Sequence, residues 1–337
     1  KIVKVVDADE IDLGASTVSG TYTVTAGDEV TQSGVLTITG ATDITANNGS
    51  DNITLNTQTN LFTGAVSLKG HNIRLTEGDE LELGDITNGG SLLNVTAGDD
   101  VTNTGILNIN GVTTISASGQ DVALNNPDNN FRDDKAVRIT ARNVEVVDRT
   151  GIKLGVSTVT GTYEITAGGD VTDDDTLEIT GITTISASGQ DVTLNTATNN
   201  FANEVRITAR NVAVTDEDAI VLGDSTVSGT YAVTAGNSVT DEGTLLITGA
   251  TTINASGQNV ELNEAASNFV GAVGITGENV EVRDVGAIVL GPSTVSGTYK
   301  VTAAGTVTDI DVTGELDIEG VTTISASGQH VTLDHAA

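Results

Sequence analysis

The sequence predicts an all-β chain, a single-stranded right-handed parallel β-helix (β-solenoid) of about 15 coils. Three observations predict it: a long internal period, a composition without a globular core, and a short strand-forming kernel that recurs throughout. The period is marked by the aromatic residues, four Phe and four Tyr in 337 residues. Phe62, Phe131, Phe201 and Phe269 follow one another at nearly equal intervals. Tyr22, Tyr163, Tyr231 and Tyr299 mark a second register, in which Leu93 takes the missing place. Leu-Gly pairs starting at Leu13, Leu83, Leu154, Leu222 and Leu290 keep the same beat. A period held over the whole length means one stacked array, so 1–337 reads as one continuous β-solenoid with repeat units starting near 13, 83, 154, 222 and 290.

Aromatics are 2% of the chain and Trp, Met and Cys are absent. Val, Ile, Leu and Ala must therefore fill the interior, among abundant Thr, Ser and Gly, a mixture that favours strands and tight turns. No stretch shows the apolar periodicity of a helix.

The kernel is an apolar residue, any residue, Ile, Val or Ala, then Thr or Ser, then Ala or Gly, followed by a second short strand built on Val. It divides a repeat into sub-repeats of unequal length, 205–230, 231–252 and 253–272, which begin at Val205, Tyr231 and Ile253. Each is read as one coil, giving three coils per 68–71-residue repeat. Alternation within Val137-Arg138-Ile139-Thr140-Ala141 turns Val, Ile and Ala to one face and Arg138 and Thr140 to the other. Breaks at Gly169-Asp170 and Asn199-Asn200 are corner candidates. Coils stacked about 4.8 Å apart would put repeat-equivalent Phe side chains too far apart to touch. They are expected to be inward plugs; an exposed sugar-stacking row is the alternative.

The formal charge of -32 comes from 46 acidic and 14 basic residues. Phosphate binding needs the opposite sign, so nucleic acid is excluded as a partner, and an anionic membrane would repel this surface. Like charge also keeps a repetitive β protein soluble. There is no run of apolar residues long enough to span a bilayer, so no membrane insertion is expected. The chain opens on Lys1-Ile2-Val3-Lys4-Val5 and closes on Val331-Thr332-Leu333, both in mid-pattern, as a piece of a longer protein would.

The kernels Ile-Thr-Ala-Arg-Asn-Val-Ala-Val, Tyr-Glu-Ile-Thr-Ala-Gly-Gly-Asp-Val-Thr and Ile-Ser-Ala-Ser-Gly-Gln-Asp-Val-Thr-Leu-Asn resemble the coils of filamentous-haemagglutinin-type exoproteins. Those are long right-handed β-helices exported by two-partner secretion in Gram-negative bacteria. The resemblance covers essentially the whole chain. It implies a secreted, cell-surface adhesin, biofilm-matrix protein or stalk, without catalytic residues in the repeats. The secretion domain of that family carries Asn-Pro motifs; the one Asn-Pro here, Asn126-Pro127, falls inside a repeat corner.

Motifs that carry chemistry are scarce. His71, His330 and His335 are scattered, and without Cys they make no metal cluster. Nucleophile and phosphate-loop motifs are absent, so no enzyme is expected and no cofactor. Asp173-Asp174-Asp175 and Asp216-Glu217-Asp218 stand at expected corners, where β-helix polysaccharide lyases and hydrolases carry carboxylates; an enzyme of that kind is the remote alternative. The coil from Tyr299 is longer than its equivalents around Asp309-Ile-Asp-Val-Thr-Gly314. Asp309, Asp311 and Thr313 offer oxygens at alternating positions before a Gly turn, the one calcium candidate, although the Glu of a complete loop is missing.

Thr96, Ser118, Thr140, Thr166, Ser188, Thr208, Thr234, Ser256, Thr276, Thr302 and Ser327 are aligned as an outward column. It is read as hydroxyl residues suited to stacked strands rather than as an ice-ordering face. Arg138 and Arg142 recur as Arg206 and Arg210, a candidate surface-binding stripe or a set of exposed ion pairs with acids of adjacent coils. The expected function is a non-catalytic stalk that projects regions outside this segment towards cell-surface or matrix glycans and proteins. The alternatives are a glycan- or protein-binding module and a self-assembling filament subunit.

Overall fold

The computed structural model describes residues 1–310 and 316–333. The chain divides into two compact units, Lys1–Gly169 and Asp170–Ala337, each taken by itself below. Both are parallel β-solenoids, and the turns total about 16. Among the described residues the helical content is one 3-10 turn, Asn47–Gly49.

In the first unit, Val3–Val6, Tyr22–Ala26, Thr42–Ala46 and Val66–Gly70 stack in parallel register, Val3 on Tyr22, Tyr22 on Thr42 and Thr42 on Val66. A second face stacks Ile11–Leu13, Val30–Gln32, Ile53–Leu55 and Ile73–Thr76. A third stacks Ser16–Val18, Leu36–Ile38 and Leu61–Phe62. Strand alternation puts Tyr22, Val24 and Ala26 inside while Thr25 faces out. In each unit the interior is Val, Ile, Leu and Ala with two Phe, and all four Phe of the chain are fully buried as plugs, at 0–1% exposure.

The second unit shows how repeat and turn are related. Glu204 pairs with Val221, Val221 with Thr240, Thr240 with Glu261 and Glu261 with Glu281. That spacing of partners makes one repeat three and a half turns rather than three. The consequence is visible in equivalent strands. Glu204–Ala209 belongs to one sheet, and its equivalent one repeat on, Ala272–Gly277, belongs to the other. The sub-repeats from Tyr231 and Ile253 are single turns that stay on one sheet. The longer sub-repeat from Val205 is a turn and a half, because it contains two strands, Glu204–Ala209 and Val212–Asp216, that both resemble the kernel.

Advancing by half a turn requires the cross-section to change, and a recurring corner manages the change. The long strand Glu204–Ala209 is followed one turn later by two short ones, Ile220–Leu222 and Ser225–Val227, with the corner between them. The corner breaks the ladder opposite Ile207. The buried Ser225 hydroxyl accepts the Ile207 N–H at 3.1 Å and donates to Gly223 O at 3.0 Å, closing the gap. Ser157 and Ser293 do the same for Ile139 and Ile275. This is why Ser stands two residues after the Gly in the Leu-Gly pairs at Leu154, Leu222 and Leu290; after Leu83 the place is taken by Ile86. At Gly223 a Cβ would meet the Arg206 side chain at 2.6 Å, so the strand below leaves no room there.

The outward Thr/Ser column is corrected by the register. Thr96 pairs with Ser116 and Ser116 with Thr140, so Ser118 is not the equivalent position. Ser186, Asn254 and Ser325 likewise hold the outward position, and Ser188, Ser256 and Ser327 do not. The reason is a turn: Gln120 N–H donates to Ala117 O at 3.0 Å across Ser118 and Gly119, and Gly119 has φ +79°, a left-handed conformation open to glycine.

Candidate functional site

The four arginines of the expected stripe are divided between the units. In the first unit, Arg142 grips Asp121 of the preceding turn with both ends of its fork, Nε and Nη2 each donating at 2.8 Å. Arg138 is half-buried on the strand Ala136–Ala141, and its Nε is buried without a hydrogen-bond partner. In the second unit, Arg210 pairs with Asp191 of the preceding turn at 2.8 Å, and Arg206 with Glu204 on its own strand at 2.7 Å. Three of the four guanidiniums are thus engaged by carboxylates. Asp121 and Asp191 are held below the usual carboxylate range, first of all by hydrogen bonds from Arg142 and Arg210.

These pairs sit on a corner ladder. Asp121 Oδ1 accepts from the backbone N–H and side-chain amide of Asn143, and Asn143 Oδ1 accepts from the backbone N–H and hydroxyl of Thr162. Asp191, Asn211 and Thr230 repeat the arrangement bond for bond.

One residue of each acidic triplet fastens the backbone. Asp173 accepts from the Asn195 and Thr196 backbone and from the Asn199 side chain, fastening a corner one turn ahead. Asp216 is 1% exposed; its Oδ2 accepts the Phe201 N–H at 2.9 Å and its Oδ1 the Asp218 N–H at 2.8 Å. Burial pushes its carboxyl up to about 6.

Asp216 belongs to a row that sequence reasoning missed. Glu77, Asp148 and Asp284 are buried alike, and their carboxylates accept the N–H groups of Phe62, Phe131 and Phe269. In each case the Phe ends a short strand, and the carboxylate takes the N–H that a further strand would have taken. Burial raises Asp148 and Asp284 and pushes Glu77 up to about 7. The Glu77 Oε1 is buried without a partner. A second row stands two residues before each Phe: Asn60, Asn129, Asn199 and Ser267 are buried and accept the N–H of Leu36, Leu107, Leu177 and Leu245. The available signal was the recurrence of Asp at 148, 216 and 284 and of Asn two residues before Phe.

Of the calcium candidates, Asp309 ends the strand Val307–Asp309, while Asp311 and Thr313 lie outside the described residues. Among the described residues no group of three or more His, Asp or Glu is placed to hold a metal ion. No helix among them is long and apolar enough to cross a membrane.

A concavity of about 300 Å³ lies in the first unit, lined by Glu29, Asn52, Thr54, Asn72, Arg74, Ser91 and Leu92. It occupies the corner-ladder position of the first repeat. Asn52 Oδ1 accepts from the Asn72 N–H and side-chain amide at 3.2 and 3.0 Å, and Asn72 Oδ1 accepts from the Ser91 N–H at 3.1 Å. Arg74 is exposed on the strand Ile73–Thr76, and its guanidinium makes no ion pair or hydrogen bond among the described residues.

Stacked turns, plugged corners and a sequence period of about 68 residues define a repeat β-solenoid. The chain belongs to the family described as repeats of unknown function (DUF5649), whose model matches it five times in succession, at residues 1–69, 70–137, 141–208, 209–276 and 277–337. No curated protein and no solved structure matches the chain.

Proposed function

We propose that this chain is a non-catalytic structural repeat region of a secreted bacterial surface adhesin or biofilm-matrix protein. It spaces and supports binding regions, and glycans or proteins of the cell surface or matrix are the partners of the whole. The observation that carries the reading is which residues recur. Ser157, Ser225 and Ser293, Asp148, Asp216 and Asp284, and the Phe plugs all serve the stacking of one turn on the next. Outward charges are not kept: Arg142 and Arg210 give way to Glu278, and Arg206 to Gly274. Repetition that preserves the stacking and not the surface charge fits a spacer whose length matters more than its chemistry. The likeness of its kernels to filamentous-haemagglutinin coils supports the secreted, surface location and the adhesin context.

A spacer should tolerate loss of a unit. Deleting residues 209–276 joins Thr208 to Gly277, which stands at the repeat position of Ala209. The shortened chain is expected to melt cooperatively within about 3 °C of the parent, since each turn of a solenoid leans only on its neighbours. Residue 281 would then stack beside residue 193, so cysteines placed at both should form a disulfide in the deletion chain and not in the parent. Collapse of the deletion chain, or release of soluble oligosaccharides from a polysaccharide panel by the parent, would overturn the reading.

A further inference from the structure

The first repeat departs from the others at one corner, and the departure gathers unusual chemistry. Later repeats turn there through Ser-Gly-Gln, as at 118–120. The first instead inserts the turn Asn47–Gly49, with φ of 39° at Asn47, 52° at Asn48 and 98° at Gly49. Left-handed non-glycine residues in sequence are uncommon, and such backbone tends to persist where a site needs it. The inserted turn leads directly into Asn52, the edge of the 300 Å³ concavity.

Charge changes at the same place. The ladder residue that is Asp121 and Asp191 in the second and third repeats is Asn52 here. The outward strand residue that is Glu145, Ala213 and Glu281 elsewhere is Arg74. The corresponding corner of the fourth repeat also carries Asn259, but there Glu281 and Lys300 close on each other at 2.7 Å. In a chain of net charge -32, a concavity walled by amides and hydroxyls, with an unpaired guanidinium and a single acid at its rim, stands apart. The Asn52–Asn72–Ser91 bonds hold the wall in place, leaving the Asn52 amide nitrogen, the Thr54 hydroxyl and Arg74 free among the described residues.

We infer that this concavity is a binding site for a saccharide bearing a carboxylate, with Arg74 taking the carboxylate and Asn52, Thr54 and Glu29 the sugar hydroxyls. A planar guanidinium matches a carboxylate two bonds at a time, which a neutral sugar cannot exploit. Amides, hydroxyls and one carboxylate supply the mixed donors and acceptors that sugar hydroxyls need. The surrounding acidic surface rejects polyanions of high charge density, so the ligand is a lightly charged one. This site does not depend on the spacer reading.

Calorimetric titration of the full chain with sialyllactose, an acidic trimer that carries a single carboxylate, tests it, with maltotriose as the neutral comparison. The acidic trimer is expected to bind with a Kd below about 1 mM and maltotriose at least tenfold more weakly. Arg74→Glu and Arg74→Gln should each weaken the acidic trimer at least tenfold while leaving the melting temperature unchanged. Arg210→Glu, which breaks the pair with Asp191 on the other unit, should leave binding intact. No heat with the acidic trimer, equal binding of maltotriose, or binding indifferent to both Arg74 variants would each overturn the assignment.

Discussion

Single residues decide this fold at places where the ladder is interrupted. A buried carboxylate that accepts a Phe N–H is stabilised by that bond and destabilised by burial, and at Glu77 and Asp216 burial is the larger effect. Their folded pKa values, about 7 and about 6, lie above the ordinary values of 4.5 and 3.8. Such a group binds its proton more tightly in the folded state. Its contribution to stability is fully present below the unfolded value and is lost as pH rises through the folded one. The melting temperature is therefore expected to climb as pH falls from 8 towards 5. Easing repulsion among the other acids has the same sign, so the variants separate the two causes. Glu77→Gln and Asp216→Asn keep an acceptor for the Phe N–H, and together they should flatten the pH dependence between about 5 and 7. An unchanged slope in the double variant would show that these carboxyls are not its source. Asp121 and Asp191, held low by their arginines, act in the opposite sense, with stability lost only as pH falls below about 4.

At the scale of the element, the Leu-Gly-x-Ser corner converts one long strand into two short ones, and its Ser supplies the acceptor for a buried N–H. Ser225→Ala should cost about 1–3 kcal/mol, the range for orphaning a buried donor, measured by chemical denaturation. The exposed Leu246 gives the matched control: Leu246→Ser disturbs no buried group, and its effect should stay within about 0.5 kcal/mol. Equal effects of the two would remove the corner explanation. Strand existence and inward alternation were legible in the kernel, because a period of two needs only neighbouring residues to be read. The identity of the neighbours was not legible. Val205-Arg-Ile-Thr-Ala209 and Val212-Ala-Val-Thr-Asp216 look alike as strings, and only pairing reveals that they lie on different faces of one turn.

At the scale of the whole molecule, the net charge of -32 sets the response to salt. Like charges brought together on folding repel, and the Debye length shrinks from about 30 Å at 10 mM salt to about 3 Å at 1 M. Raising sodium chloride from about 10 mM to about 500 mM should raise the melting temperature, most at pH 8 where every exposed acid is ionised. A fall in melting temperature over that range would mean that the Arg–Asp and Lys–Glu pairs outweigh the general repulsion.

The sequence by itself determined that this is an all-β stacked array with one long period held throughout, buried Phe plugs and a surface of repeating corners. Those properties follow from alternation, composition and recurrence, which are carried along the chain. Only the tertiary structure decided that a repeat is three and a half turns, that Ser225 and Asp216 fill the breaks this half-turn creates, and that Arg74 is left unpaired above a concavity. Each of these depends on which turn lies against which, and similar strands leave that register unspecified until the corners close around it.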